Sequence, residues 1–214
     1  MPDLDSLHFD HDGWQAIESK PHIRVWGDDI RSLSSVLSLE YFDKPPEIAV
    51  SLKDINSIRF IYRDLANQSG AGLIFADTFI INGTDCIETI FKMRQANRGI
   101  VYIGSLTIPF AQFSYVVKVQ TVEIGFTGVR EAVVYNQLLD TAQFDADGKI
   151  ANWEKDPYDP NGAYPFMPNM AEAIEYDAMF PQHALSRVRE TMKSVRETIA
   201  FSDELRGASR FDSA

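Results

Sequence analysis

The stretch 73-LIFADTFIINGTDCIETIFKM-93 decides the fold. Two apolar runs, 73–81 and 86–93, flank the dipeptide Asn82-Gly83. Both residues of that dipeptide tolerate positive φ, so it predicts a tight turn between two antiparallel strands. Toward the carboxy end, Gly99 breaks the chain, 100–108 (IVYIGSLTI) predicts a third strand, and Pro109 closes it. In 113–124 (FSYVVKVQTVEI), Tyr115, Val117 and Val119 alternate with Val116, Lys118 and Gln120. That period of two predicts a fourth strand, and the short connections make the four an antiparallel meander.

Toward the amino end, Ile55, Ile58, Tyr62 and Leu65 recur at spacings of three and four and predict one apolar helix face. Asp54 is placed to cap that helix, Gly70 and Gly72 to stop it, and Arg59, Arg63 and Asp64 lie off the stripe. Before it, 33–42 (LSSVLSLEYF) predicts a strand that Pro45-Pro46 ends. Beyond the meander, Thr127 is a candidate cap for a helix with Val129, Ala132, Val133 and Leu139 on its buried side. The segment 142–168 predicts a long loop, and 185–201 predicts an amphipathic helix through Leu185, Val188, Met192, Val195 and Ile199. Helices on either side of an antiparallel run imply an α+β domain: a meander sheet of four or more strands, flanked by helices. Residues 14–201 are expected to form that one domain, after a mobile acidic lead-in (1–13) and before a frayed tail (202–214).

The hairpin INGTD (81–85), the strands YIGSLTIP (102–109) and SYVVKVQ (114–120), and the helix start GFTGVREA (125–132) resemble the body of a PsbP-like domain. The resemblance covers roughly residues 30–140 and implies an antiparallel sheet flanked by helices, serving as a binding or chaperone scaffold. The ending EYDAMFPQHALSRVRETM (175–192) is similar to endings of uncharacterised bacterial proteins that share FPxHxLSRVR. Neither resemblance transfers a functional residue.

Composition excludes several classes. Apolar residues make up 45% and charged residues 24%, a globular balance. The 31 acidic and 20 basic residues give a net charge of −11. Neither a phosphate backbone nor an anionic membrane surface attracts such a chain, so the expected partner is a protein, with a basic surface favoured. Nothing in the sequence sets the oligomeric state. Cys86 is the single cysteine, compatible with a reducing compartment, and no stretch reaches the ~18 apolar residues of a membrane span. With no signal-peptide pattern at the amino terminus, the cytoplasm is the expected location.

Catalytic patterns are sparse. There is no G-x-S-x-G elbow, no H-E-x-x-H and no phosphate-binding glycine loop, and Cys86 lies in an apolar strand without a histidine nearby in sequence. His8 and His11 stand with Asp10 and Asp12 in HFDHD, a metal-ligating mixture set against the simpler reading of a solvated arm. His22 precedes a possible first strand and has no visible partner. Residues 143–154 match part of a calcium loop, with Asp145, Asp147 and Glu154 at ligand positions three, five and twelve. Gln143 stands where the first aspartate belongs, and short D-x-D-G turns also arise for backbone reasons alone. No cofactor is expected.

Two structural expectations concern candidate site residues. Trp153, Tyr158, Tyr164 and Phe166 are expected either to strap the long loop onto the body or, if exposed, to form a binding surface. Phe180, Pro181, His183 and Arg187 are expected to clamp the last helix, with His183 at its cap and Arg187 free to pair with an acid. The favoured function is a non-catalytic protein-binding module of bacterial type: an adaptor, chaperone or immunity-like protein. The alternatives are a hydrolase-like enzyme with acids such as Glu40, Asp77, Glu88 and Glu123 converging with the loop, and a structural subunit of a larger assembly.

Overall fold

Asn82 and Gly83 both take left-handed backbone, φ 49° and 75°, and the chain reverses there with Ile81 facing Thr84. The computed structural model describes residues 2–29, 34–96 and 99–211. In chain order these form β1 (Leu7–His8), β2 (Gln15–Lys20), β3 (Ile23–Gly27), β4 (Ser35–Phe42), α1 (Ile55–Gln68), β5 (Gly72–Ile81), β6 (Thr84–Arg94), β7 (Ile100–Pro109), β8 (Ser114–Val122), α2 (Val129–Leu138), α3 (Ala184–Thr198), β9 (Ala200–Phe201) and α4 (Asp203–Arg206). The main sheet has seven strands in the order β2-β3-β4-β8-β7-β6-β5, every pair antiparallel. The fold is α+β, and the predicted meander is its right-hand portion, β5 through β8. Sequence reasoning missed β2 and marked only a possible strand after His22, where β3 lies, because neither alternates cleanly: β2 is largely exposed and carries a register shift at Ala16/Glu18.

Successive residues of β6 point to opposite faces. Cys86 and Ile90 join the large core under α3, which includes Leu106, Val117, Leu185, Val188 and Met192. Ile87 and Phe91 face the other way, toward the smaller clusters formed with Ile58 and Ala66 of α1. Helix α3 approaches β7 over Gly104: a Cβ there would lie 2.7 Å from Met192 Cγ and 2.8 Å from Val188 Cγ1. Glycine at this position is therefore a packing requirement, not a turn.

The caps follow the local sequence. Asp54 accepts the Ser57 amide at the start of α1, and beyond Ser69 the chain turns through Gly70 (φ 64°), with the Ala71 amide reaching back to Ala66 O. One of the two edge strands of the sheet, β5, is covered at Ala76: Ala76 N donates to Tyr158 Oη at 2.6 Å, and Arg59 Nε donates to Ala76 O at 3.1 Å. Both unpaired groups of an edge residue are thereby satisfied.

Several expectations are corrected. The lead-in is docked instead of solvated: Leu4, Leu7 and Phe9 are buried, and β1 pairs with β9. Its apolar residues are few, but they fall together on the side that meets the core. The tail at 202–211 is not frayed, because Ser202 caps α4 and Leu205 is buried. Helix α2 begins after Gly128, with no side-chain cap from Thr127, and turns Val129, Val133 and Leu139 outward while burying Arg130 and Val134. An arginine enters such a core only when its donors are all placed, as Arg130's are. In α1, Leu65 is exposed and Ala66 takes the buried place. The last helix stops at Thr198, and Ala200–Phe201 becomes a strand.

Candidate functional site

The segment 169–183 carries two short 3-10 turns, Met170–Glu172 and Ile174–Tyr176, and three cations hold it against the body. Lys92 of β6 pairs with Glu172 at 3.0 Å, both side chains at most 2% exposed. Tyr102 Oη donates to the other Glu172 oxygen at 3.2 Å, and the Asn169 amide donates at 2.8 Å. Arg130 donates to Ala171 O, Ala173 O and Ser186 Oγ, and pairs with Asp177. Arg189 of α3 reaches the same Asp177 oxygen at 2.9 Å and also Glu172 O. A charged network this dry is admissible only because its donors and acceptors are matched. It fixes the walls of two concave surfaces.

The first is a cleft of about 510 Å³ between β5, β6 and α3. Phe75, Phe79, Ile90, Ile174 and Pro181 supply apolar walls. Glu88 is buried in its floor and pairs with Arg196, whose guanidinium also lies 4.5 Å over the Phe79 ring. Burial raises the Glu88 carboxyl above its ordinary pKa despite the opposing pull of Arg196.

The second is a hollow of about 500 Å³ where β8 ends and α2 and α3 begin. Ile124, Phe126, Val129 and Met179 line it, and they are exposed, Phe126 to 90% and Ile124 to 65%. Glu123 and His183 form its polar wall. His183 caps α3: its Nδ1 accepts the Leu185 amide at 3.2 Å, which places the ring proton on Nε2, 3.3 Å from Glu123 Oε1. Glu123 also accepts the Ile100 amide at 2.9 Å. Burial pushes its pKa up, but the hydrogen bond and charge of His183 and the backbone amides outweigh burial and bring it below the ordinary value. Glu131, on the first turn of α2, behaves oppositely. Burial raises its pKa and the neighbouring Glu123 charge adds to the rise, while its own backbone amide pulls the other way. Both Glu131 carboxylate oxygens are buried without a hydrogen-bond partner.

The residues singled out from the sequence fall as follows. Arg187 pairs with Asp28 at 2.7 Å and donates to Ser34 Oγ at 2.9 Å, and His183 stands at the cap of α3. Phe180 lies beneath the Arg130 guanidinium, and Pro181 lines both concave surfaces. The four loop rings pack inward. Tyr158 sits under Arg59, Phe166 is buried between Lys92 and Arg94, and Trp153 meets Tyr135 edge-on. Tyr164 is half-buried, so the loop is a strap and these rings are not an open contact surface. Arg63 locks the strap through Asp156 and Asp159, at 2.6 and 2.8 Å.

Asp145, Asp147 and Glu154 do not converge as calcium ligands. Asp145 Oδ1 instead accepts the amides of Asp147 and Lys149, and a bridge between Phe144 and Ile150 closes a small turn. This is the backbone reading of the D-x-D-G pattern. Of the strand acids, Asp77 and Glu88 are register partners across β5 and β6, but the four do not gather in one place: Glu40 pairs with Lys118, Asp77 with Arg59, Glu88 with Arg196 and Glu123 with His183. His11 packs against Trp26 and bonds Phe9 O. Sequence reasoning missed Glu131, Glu172 and Arg130, whose roles depend on contacts across forty residues or more. Only the buried phase of α2 could have flagged Arg130.

The hydrogen-bond partners of His183 include no hydroxyl or thiol, and Cys86 is fully buried with its thiol pushed up to about 12 by that burial. Neither His183 nor Cys86 therefore belongs to a nucleophile–base pair in this geometry.

No protein-family model and no curated protein sequence matches the chain. Among solved structures, a protein from Bacteroides thetaiotaomicron VPI-5482 aligns at a TM-score of 0.37 and 9% identity, over 56% of this chain and 40% of that one. The chain thus spans about two fifths of the length of that protein. The cyanobacterial PsbP (CyanoP) of Synechocystis sp. PCC 6803 aligns at a TM-score of 0.35 and 15% identity, over 64% of this chain and 83% of that one. Identities of this order set up no residue-by-residue correspondence.

Proposed function

We propose that the protein is a non-catalytic protein-binding module whose contact surface is the hollow around Phe126. The observation that carries this is the cluster of four exposed apolar side chains, Ile124, Phe126, Val129 and Met179, lining one depression. Water-exposed apolar groups gathered in one place mark interaction surfaces, and a central aromatic is the usual energetic anchor. The acidic balance of −11 favours a partner with a basic rim around an apolar centre. An adaptor, chaperone or immunity-type role in a bacterial cytoplasm fits this reading.

The test is site-specific photo-crosslinking from position 126 in the native cell, with sedimentation of the purified chain to identify self-association. A discrete adduct with another protein, lost in an Ile124→Asp variant that melts like the wild type, supports the module. No adduct at 126, or an adduct unaffected by Ile124→Asp, overturns it.

A further inference from the structure

The wall of that hollow holds a second feature that does not depend on protein binding. Glu123 follows the last residue of β8, Glu131 sits on the first turn of α2, and His183 caps α3. Gly125 and Gly128, at φ 74° and 76°, fold the intervening chain back so that the two glutamates meet. One ligand atom from each of Glu123, Glu131 and His183 lies within 4.8 Å of the other two. Among the described residues this is the one such group of three.

Its charge is not balanced by a lysine or arginine among the described residues: two carboxylates converge, and Glu123 has only His183. Arg130, next in sequence to Glu131, is committed to Asp177, Ser186 and two carbonyls. The Glu131 oxygens are buried, and apart from the pull of the residue's own backbone amide no donor faces them, a costly state for a carboxylate. A cation or a proton placed between these groups would offset their charge.

We infer that Glu123, Glu131 and His183 form a binding site for a divalent first-row transition ion of the Zn²⁺ type. Two carboxylates and an imidazole are ligands for that class, and three protein ligands leave a fourth position for water or a further group. An ion about 2.1 Å from each ligand sets the ligand atoms about 3.4 Å apart; Glu123 and His183 already stand at 3.3 Å, and the cluster as a whole closes by at most about 1.4 Å, within reach of glutamate torsions. Coordination through Nε2 displaces the ring proton now directed at Glu123. That proton moves to Nδ1, and the Leu185 amide gives up its cap bond. Loading the site therefore couples the ion to the first turn of α3 and to the polar wall of the hollow.

The experiment is titration of the metal-stripped full chain with Zn²⁺ against a chromophoric chelator, with Co²⁺ absorption as the spectroscopic readout. One ion per chain is expected, with the Co²⁺ spectrum showing a low-symmetry, nitrogen- and oxygen-ligated site. Glu131→Gln weakens binding at least about tenfold, since even outer partners of metal ligands matter that much. It also raises the melting temperature of the metal-free chain, because a buried unpaired charge is gone. Those opposite signs separate a ligand from a merely structural glutamate. His183→Asn keeps a side-chain cap for α3 and loses the ion. His8→Ala with His11→Ala leaves binding unchanged. No binding to the wild type, binding that survives Glu131→Gln, or binding that disappears with His8 and His11 overturns the inference.

Discussion

Lys92→Met tests the account of how the walls of both concave surfaces are held. Lys92 and Glu172 are 2% and 1% exposed, 3.0 Å apart, and belong to the sheet and to the segment that leads into α3. Removing one partner of a buried pair leaves a charge with neither water nor a counter-ion, which costs about 3–5 kcal/mol. Glu172 keeps the Tyr102 hydroxyl and the Asn169 amide, so the lower end applies, about 3 kcal/mol. Methionine retains a favourable contact with the Phe166 ring that Lys92 covers at 4.5 Å, which restricts the change to the charge. For a chain of this size the loss lowers the melting temperature by about 6–12 °C. Urea titration gives the free energy directly, and an unchanged slope confirms that compactness is retained. Adding Glu172→Gln to Lys92→Met removes the stranded charge and recovers at least about 1 kcal/mol. A single variant within about 1 kcal/mol of the wild type, or a double variant no better than the single, refutes the reasoning.

Gly104→Ala forces a Cβ against Met192 and Val188 and costs about 1–3 kcal/mol in thermal or urea unfolding; no loss would mean that α3 does not approach β7 so closely. Asp28 is lowered to about 2 because hydrogen bonds from Ser34, Arg187 and two backbone amides outweigh burial, the largest single influence, which raises it. Its contribution to stability is therefore full above about pH 4 and disappears as pH falls through about 2, so the stability gap between wild type and Arg187→Ala should close across that window. Cys86, with its thiol pushed up to about 12, should resist an aromatic disulfide reagent at pH 8 until the protein unfolds, and prompt labelling of the native chain would contradict its burial.

The sequence by itself determined the elements whose signal is local. Asn82-Gly83 specified the hairpin because two adjacent residues had to adopt left-handed backbone, and few dipeptides do so cheaply. Strands β5 to β8, the Asp54 cap and the stripe of α3 were legible for the same reason: period and cap chemistry act over one or two turns. Arg187 and His183 could be assigned a clamping role from their position at the entry to α3, although not their partners Asp28 and Glu123. What only the tertiary structure decided is the phase of α2, the docking of both chain ends and the charged network. Composition made the lead-in look solvated, but Leu7 is buried once Phe201 comes beside it from the far end of the chain. Valines at 129 and 133 suggested a buried face, yet the helix turned the other way, because Arg130 could be fully satisfied by acceptors more than forty residues away. The Glu123–Glu131–His183 cluster is non-local in the same sense: chain reversal brings a strand end and two helix starts together, and no periodicity along the sequence encodes that meeting.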